Sequence, residues 1–297
     1  MKTVAGLLRQ AADNIIKLIY ALMGIAFVCS MFFSFYNGSV TVSNTLVCPE
    51  IPIIMYHNVI DSSDRVSKYV ITPEMLEGDI AYLRERGYTT VLSKDIADFC
   101  EKGTPLPEKP VIITFDDGYY NNYSYAYPIL KKYGERAVIS VVAQYSDSAS
   151  HDDCAQNNNY SYITWAQAKE MSESGIIEIQ NHSYSMHDMS SRKGLLRKKG
   201  EDFHHYKEML IRDVMRAQDL IKSGTGAEPV AFTYPFGAVN NESHEIIMEL
   251  GFKVTYGCEE GRNVITSDPQ SLHRLKRYNR SGLESREKFF ERALGVQ

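Results

Sequence analysis

The apolar positions of this chain follow two rhythms. Short runs rich in apolar and β-branched residues recur at 51–56, 89–92, 111–115, 137–142, 176–180, 230–233 and 252–255. Such runs read as strands buried on both faces, as in a parallel sheet covered by helices. Between them lie segments with helical start and stop signals. Residues 73–86 have Thr72 as N-cap, Pro73 at the first helical position and Gly87 beyond the end. Ser93 caps a helix through Cys100, and residues 123–133 stop at Gly134. Thr164 caps a helix to Ser174, and residues 205–222 form a long amphipathic one. Residues 241–250 end at Gly251, and residues 286–294 form a final helix. The polar stretch 144–160 predicts a surface loop. About seven strands alternating with helices predict an α/β fold, with a parallel barrel or sheet, over residues 51–297.

Ahead of this domain the pattern changes. Residues 18–36 carry no charge over 19 positions. As a helix they extend about 28 Å, close to the hydrocarbon core of a bilayer. Lys2, Arg9 and Lys17 precede the run, and the next basic residue is Arg65. This asymmetry predicts a cytoplasmic tail (1–14), a transmembrane signal anchor (15–36), a polar linker (37–50) and a domain held outside the cell membrane. A cleaved signal peptide is the alternative. Its apolar core is usually shorter, and no clear small-x-small site precedes Asn37. A buried core helix is a third reading, which the charge asymmetry disfavours.

Composition narrows the function classes. Of 297 residues, 44% are hydrophobic and 23% charged, ordinary for a globular protein. The net charge of −5 comes with no basic stripe, which argues against nucleic acid. Five Cys include no CxxC pair, so neither a zinc ribbon nor a redox motif is predicted. Arg192, Lys193, Arg197, Lys198 and Lys199 form a basic run. It reads as a solvated face, or more sharply as a contact for an anionic wall polymer or lipid head groups.

Three strand ends carry distinctive groups. Asp116 and Asp117 follow the run 111–115, and Gly118 then lets the chain turn sharply. His182 and His187 follow the run 176–180, and Tyr234-Pro235-Phe236-Gly237 follows 230–233. In parallel α/β folds, catalytic groups sit at the C-terminal ends of strands. Unpaired carboxylates are costly to bury, so the Asp pair needs a cation, donors or an open cleft. The two histidines are five apart, which places them on no common helix face. On a loop they can converge. One carboxylate and two imidazoles make an N/O ligand set suited to zinc or a similar divalent ion. Such a set leaves a position open for water, which the metal acidifies. His57, at the end of the run 51–56, is placed to line the same site.

Thr114-Phe115-Asp116-Asp117-Gly118, His182-Ser183-x-x-x-His187 and Tyr234-Pro235-Phe236-Gly237 together resemble the motifs of the polysaccharide deacetylases of carbohydrate esterase family 4. The likeness runs from about residue 51 to 280. It includes Met55-Tyr56-His57, Tyr127-Pro128-Ile129-Leu130 and residues 175–179. The spacing of the histidines resembles the branch that includes deacetylases of poly-N-acetylglucosamine. The resemblance implies a distorted (β/α) barrel. It implies metal-dependent removal of N-acetyl groups from an extracellular or cell-wall polysaccharide or peptidoglycan. Asp117, His182 and His187 would hold the divalent ion, zinc, with cobalt or nickel as alternatives. Asp116 would be the general base toward water, and the backbone N–H of Tyr234 the oxyanion donor.

Three departures bear on that reading. Many members carry an Arg near the Tyr-Pro segment that orients the base; here Ala231-Phe232-Thr233 precede it. Many carry a Trp on a loop that walls the acetyl pocket; here the single Trp, Trp165, opens a predicted helix and reads as structural. Many end with a Leu-x-His that supplies the general acid. Here Leu272-His273-Arg274 makes His273 the candidate, with return of the proton by Asp116 as the alternative. Two rivals stand beside N-deacetylation. One is an O-acetyl xylan esterase of the same family, and the other a catalytically inactive glycan-binding protein.

Overall fold

The structure is a computed structural model and describes residues 3, 6, 14, 17–19, 21–25, 48–152, 156–190 and 192–295. The chain divides into two units, Met1–Val47 and Cys48–Gln297. In the first, residues 17–19 and 21–25 are helical. Among the described residues no helix is long and apolar enough to cross a membrane. Of the predicted anchor, residues 15, 16, 20 and 26–36 lie outside the described residues, as do 37–47 of the predicted linker.

The strands of the second unit are β1 (Ile53–Tyr56), β2 (Asn58–Val59), β3 (Val70–Ile71), β4 (Thr89–Thr90), β5 (Pro110–Phe115), β6 (Ala137–Val141), β7 (Ile177–Asn181), β8 (Ala231–Thr233), β9 (Val254–Tyr256) and β10 (Tyr278–Asn279). The helices are α1 (Pro73–Glu85), α2 (Ser93–Lys102), α3 (Tyr127–Tyr133), α4 (Ala143–His151), α5 (Trp165–Glu173), α6 (Phe203–Thr225), α7 (Asn241–Glu249) and α8 (Arg286–Leu294). Seven strands run in parallel in the order β10-β1-β5-β6-β7-β8-β9, with β4 beside β5 and β2–β3 as a separate pair. The sheet curls until one short segment reaches both of its edges. Leu275 bridges Tyr256 at the end of β9, and three residues later Tyr278 pairs with Ile54 of β1. The expected parallel barrel is thus present as a curled sheet, and its last strand, β10, is one the apolar pattern does not reveal.

Alternate residues along the strands serve two cores. Ile53, Ile112, Val138, Ala231 and Val254 share one with Ile96 of α2 and with Leu275. Ile54, Ile113, Ile139 and Ile179 share the other with Leu76 of α1, Leu130 of α3, Met171 of α5 and Ile221 of α6. Burial on both faces is why these runs carry no polar alternation. On α1, the fully buried Asp79 accepts from Arg280 Nε (2.8 Å), Arg286 Nε (3.0 Å) and the Tyr56 hydroxyl (3.2 Å). These bonds tie the chain that follows β10 back onto the barrel.

Local signals held at most helix starts. The hydroxyls of Thr72 and Thr164 accept the N–H groups of Met75 and Gln167, both at 3.3 Å. At α2 the cap differs from the expectation. Ser93 is the first helical residue, and the Asp95 carboxylate accepts the N–H of Leu92 at 2.9 Å. The stretch expected as a loop after β6 begins with helix α4. Only Ala143 and Ser146 of that helix are buried, so it has no apolar stripe to betray it.

Candidate active site

Three strand ends, β5, β7 and β8, meet at one cleft of about 600 Å³. At the end of β5 the Asp116 N–H still bonds to the Tyr56 carbonyl (3.0 Å), extending the ladder by one residue. Asp117 and Gly118 then take φ of 72° and 73°. A Cβ on Gly118 would stand 3.0 Å from Val141 Cγ1, so this turn demands glycine twice over, by conformation and by space. The turn leaves both carboxylates at the strand end.

At the end of β7 a network of polar bonds folds the loop back. Asn181 Oδ1 accepts the Ser183 N–H (2.8 Å), and Ser183 Oγ accepts the Met186 N–H (3.1 Å). Asp213 of α6 accepts the N–H groups of Tyr184 (2.8 Å) and Ser185 (3.0 Å). This brings His187 over His182, with ring centroids 5.0 Å apart. Asp117, Ser183 and Phe236, one from each strand end, have positive φ. Backbone strain of this kind concentrates where function fixes geometry.

The three predicted ligands converge. Asp117 Oδ1 is 3.1 Å from His187 Nε2 and 3.5 Å from His182 Nε2. One ligand atom from each of the three lies within 4.8 Å of the others. The Thr233 carbonyl lies 2.7 Å from His182 Nδ1 and can only accept, so Nδ1 carries the proton and Nε2 keeps its lone pair toward the cleft. Asp117 Oδ1 is buried with no hydrogen-bond partner among the described residues. An orphaned carboxylate oxygen facing two imidazole nitrogens fits a divalent cation.

Asp116 has a different neighbour. Arg277 is fully buried between the two pairings of the closing segment. Its Nη1 and Nη2 donate to Asp116 Oδ1 (2.7 Å) and Oδ2 (2.8 Å), and its Nε to the Gly257 carbonyl (2.7 Å). Burial alone raises the Asp116 pKa. The Arg277 guanidinium outweighs it and holds the carboxyl well below the usual carboxylate range. The arginine missing ahead of Tyr234 is therefore supplied from another part of the chain. Its signal in the sequence is faint: Leu275 and Arg277 alternate, so both point to the same inner side.

The remaining expectations fare unevenly. The Tyr234 N–H donates to the Tyr256 carbonyl (3.0 Å), and its hydroxyl meets His244 Nδ1 (2.7 Å). Both groups are committed to the framework, so Tyr234 is not an oxyanion donor. Phe236, two residues on, lines the cleft with its ring 4.3 Å from that of His187. Its N–H has no acceptor among the described residues. The ring of His273 packs on His244 at 5.3 Å and is not part of the cleft wall. His57 does line the cleft, with Nδ1 buried and unpartnered among the described residues; burial lowers its pKa. Trp165 lies against Gly224 and Asp147, a structural position as expected. Arg192 and Arg197 of the basic run are paired with Glu201 and Glu242, so they are not free to meet a polymer.

Comparison with known proteins follows the same lines. The family model described as polysaccharide deacetylase matches residues 103–255. The chain is similar to the poly-beta-1,6-N-acetyl-D-glucosamine N-deacetylase of Escherichia coli (strain K12), 27% identical over 227 residues, 70% of this chain and 34% of that protein. It is similar to the protein of the same name from Staphylococcus aureus (strain MRSA252), 25% identical over 230 residues, 73% of this chain and 75% of that one. A solved structure of a de-N-acetylase from Aggregatibacter actinomycetemcomitans superposes with a TM-score of 0.69 at 24% identity, covering 81% of this chain and 100% of that one. The match thus spans about a third of the length of the Escherichia coli relative.

Proposed function

Because the chain belongs to the polysaccharide deacetylase family, we propose that it hydrolyses N-acetyl groups of an N-acetylglucosamine-containing polysaccharide. One observation carries this reading: Asp117, His182 and His187 converge in a cleft beside an Asp116 kept ionised by Arg277. Asp117, His182 and His187 would hold a divalent ion, zinc by the chemistry of the donors, which supplies Lewis acidity toward the acetamide carbonyl. Asp116 accepts the proton of the attacking water. Arg277 aligns its two oxygens and keeps its charge, so the base is ready before substrate arrives. Phe236, on the cleft wall beside His187, would offer its N–H to the developing oxyanion. Asp116, once it has taken the water's proton, can return it to the leaving amine, a role not open to His273, which does not line the cleft. Arg277 also supplies the base-orienting arginine whose absence ahead of Tyr234 would favour an inactive glycan binder.

Metal analysis beside acetate release tests the proposal. The purified protein should hold about one divalent ion and release acetate from N-acetylglucosamine oligomers faster than from acetylated xylan. His182→Ala and His187→Ala should each lose most of the ion while unfolding as cooperatively as the wild type. Unchanged metal content in both variants would refute the site.

The charge asymmetry around residues 18–36 supports an anchored domain outside the cell membrane. Protease added to intact cells should then remove residues 51–297; full protection of that region would reverse this topology.

A further inference from the structure

The cleft continues past the triad to a wall that the chemistry above does not use. Tyr69 lines it with 45% of its surface exposed. Its ring lies 4.8 Å from the ring of His57 and 5.1 Å from Lys68 Nζ. The loop that carries it is tied down on three sides. The Asn58 N–H donates to the Tyr69 carbonyl (3.1 Å) and the Gly282 N–H to the Ser67 carbonyl (3.0 Å). Asn279 Nδ2 donates to the Lys68 carbonyl (2.9 Å). The backbone that carries the ring is therefore held in place, and the ring stands beside His57 on the cleft wall while remaining open to solvent.

A tyrosine in that position offers an apolar face and a polar edge. A pyranose chair offers the complement, with C–H groups on its faces and hydroxyl and acetamide groups around its rim. The cleft, at about 600 Å³, is larger than one acetamido sugar requires. Lys68 adds a charge to the same wall. Among the described residues no carboxylate pairs with it, whereas Glu260, one of three acids on the cleft wall, is paired with Arg292. A positive charge beside the ring repels a sugar that carries a free ammonium group.

We propose that Tyr69 and Lys68 form a subsite for one uncharged, N-acetylated sugar next to the unit being hydrolysed. This rests on the glycan reading above and adds a rule of pattern to it. The enzyme works best within acetylated stretches and slows beside a unit already deacetylated.

Binding titrations and acetate release with the full-length protein test the subsite. The probes are N-acetylglucosamine, its tetramer and a partly deacetylated tetramer. Tyr69→Ala should raise the tetramer Kd about tenfold and leave the monomer unchanged, while Tyr69→Phe behaves as wild type. Wild type should prefer the fully acetylated tetramer by about fivefold at low salt and less at high salt, and Lys68→Gln should abolish that preference. The proposal is overturned if Tyr69→Ala binds the tetramer as wild type does, or weakens monomer and tetramer alike. It is equally overturned if wild type does not distinguish the two tetramers. Absence of acetate release from any glycan would sink the deacetylase reading while the titrations still judge the subsite. Acetate release with a tetramer Kd unmoved by Tyr69→Ala would sink the subsite alone.

Discussion

Asp116→Asn keeps its divalent ion and loses about 10²–10⁴-fold in kcat, the usual worth of general acid–base catalysis. Asp117→Asn loses the ion instead. The two side chains are neighbours in sequence, but the turn at Asp117 separates their tasks. Asp117 faces the imidazoles, and Asp116 faces Arg277. An amide at position 116 still offers Arg277 one oxygen but leaves its charge unpaired, so the variant is less stable and kcat is read on its folded fraction, where the proton acceptor is gone. An amide at position 117 removes the negative charge from the cation's ligand set. Excess metal should restore part of the activity of the second variant and none of the first. Metal stoichiometry measured beside kcat decides the matter. Loss of metal in Asp116→Asn with retention in Asp117→Asn exchanges the roles. Full metal and full activity in both reduce the stretch to a strand and a turn.

Arg277→Ala destabilises the fold by about 3–5 kcal/mol at pH 7, the range seen when one partner of a buried ion pair is removed. Asp116 then stays buried without a counter-charge, and its carboxyl rises toward the protonated form. The base is lost with it, so kcat falls even where the protein remains folded. Arg277→Lys keeps the charge but not the two-pronged fork, and falls between wild type and alanine. The sign with pH follows from the depressed folded pKa of Asp116. The pair stabilises above the unfolded value of about 3.9, and the stabilisation is lost as pH falls below it toward the folded value. Wild type should therefore shed more stability than Arg277→Ala on acidification below about pH 4. Denaturant titrations at several pH values measure this. A variant within 1 kcal/mol of wild type at pH 7, with the same acid limb, contradicts the account of Arg277.

What was legible in the sequence was what has a period or a spacing. Val111 to Phe115 announces a strand buried on two faces, and the Asp pair at its end announces a site. The histidines were legible by type and by their place after β7, although their convergence depends on Asn181, Ser183 and Asp213, whose roles no local pattern discloses. The two-residue strand β10 has no room for a period, and Arg277 sits in a stretch of mixed basic and apolar residues that resembles a surface. Tyr234 and Phe236 differ only in register. The strand ladder claims the N–H of the first, and the turn frees that of the second. His273 was close in sequence to the group that matters, yet its ring turns to His244 while Arg277 turns inward.

The closing segment also sets an order of events as the chain folds. Asp116 and Arg277 are 161 residues apart, and their pairing needs both edges of the sheet in place before residues 275–279 can span them. Contacts of such long range form late, because the entropy of closing the intervening chain is lost before the contact is gained. Until then the Asp116 carboxylate lacks the guanidinium that fixes both of its oxygens. A newly made chain can thus bring together the proposed metal ligands, all from residues 117–187, before the proposed base is oriented. On the proposed reading, the base gains its fixed orientation with the last segment to dock, at completion of the fold.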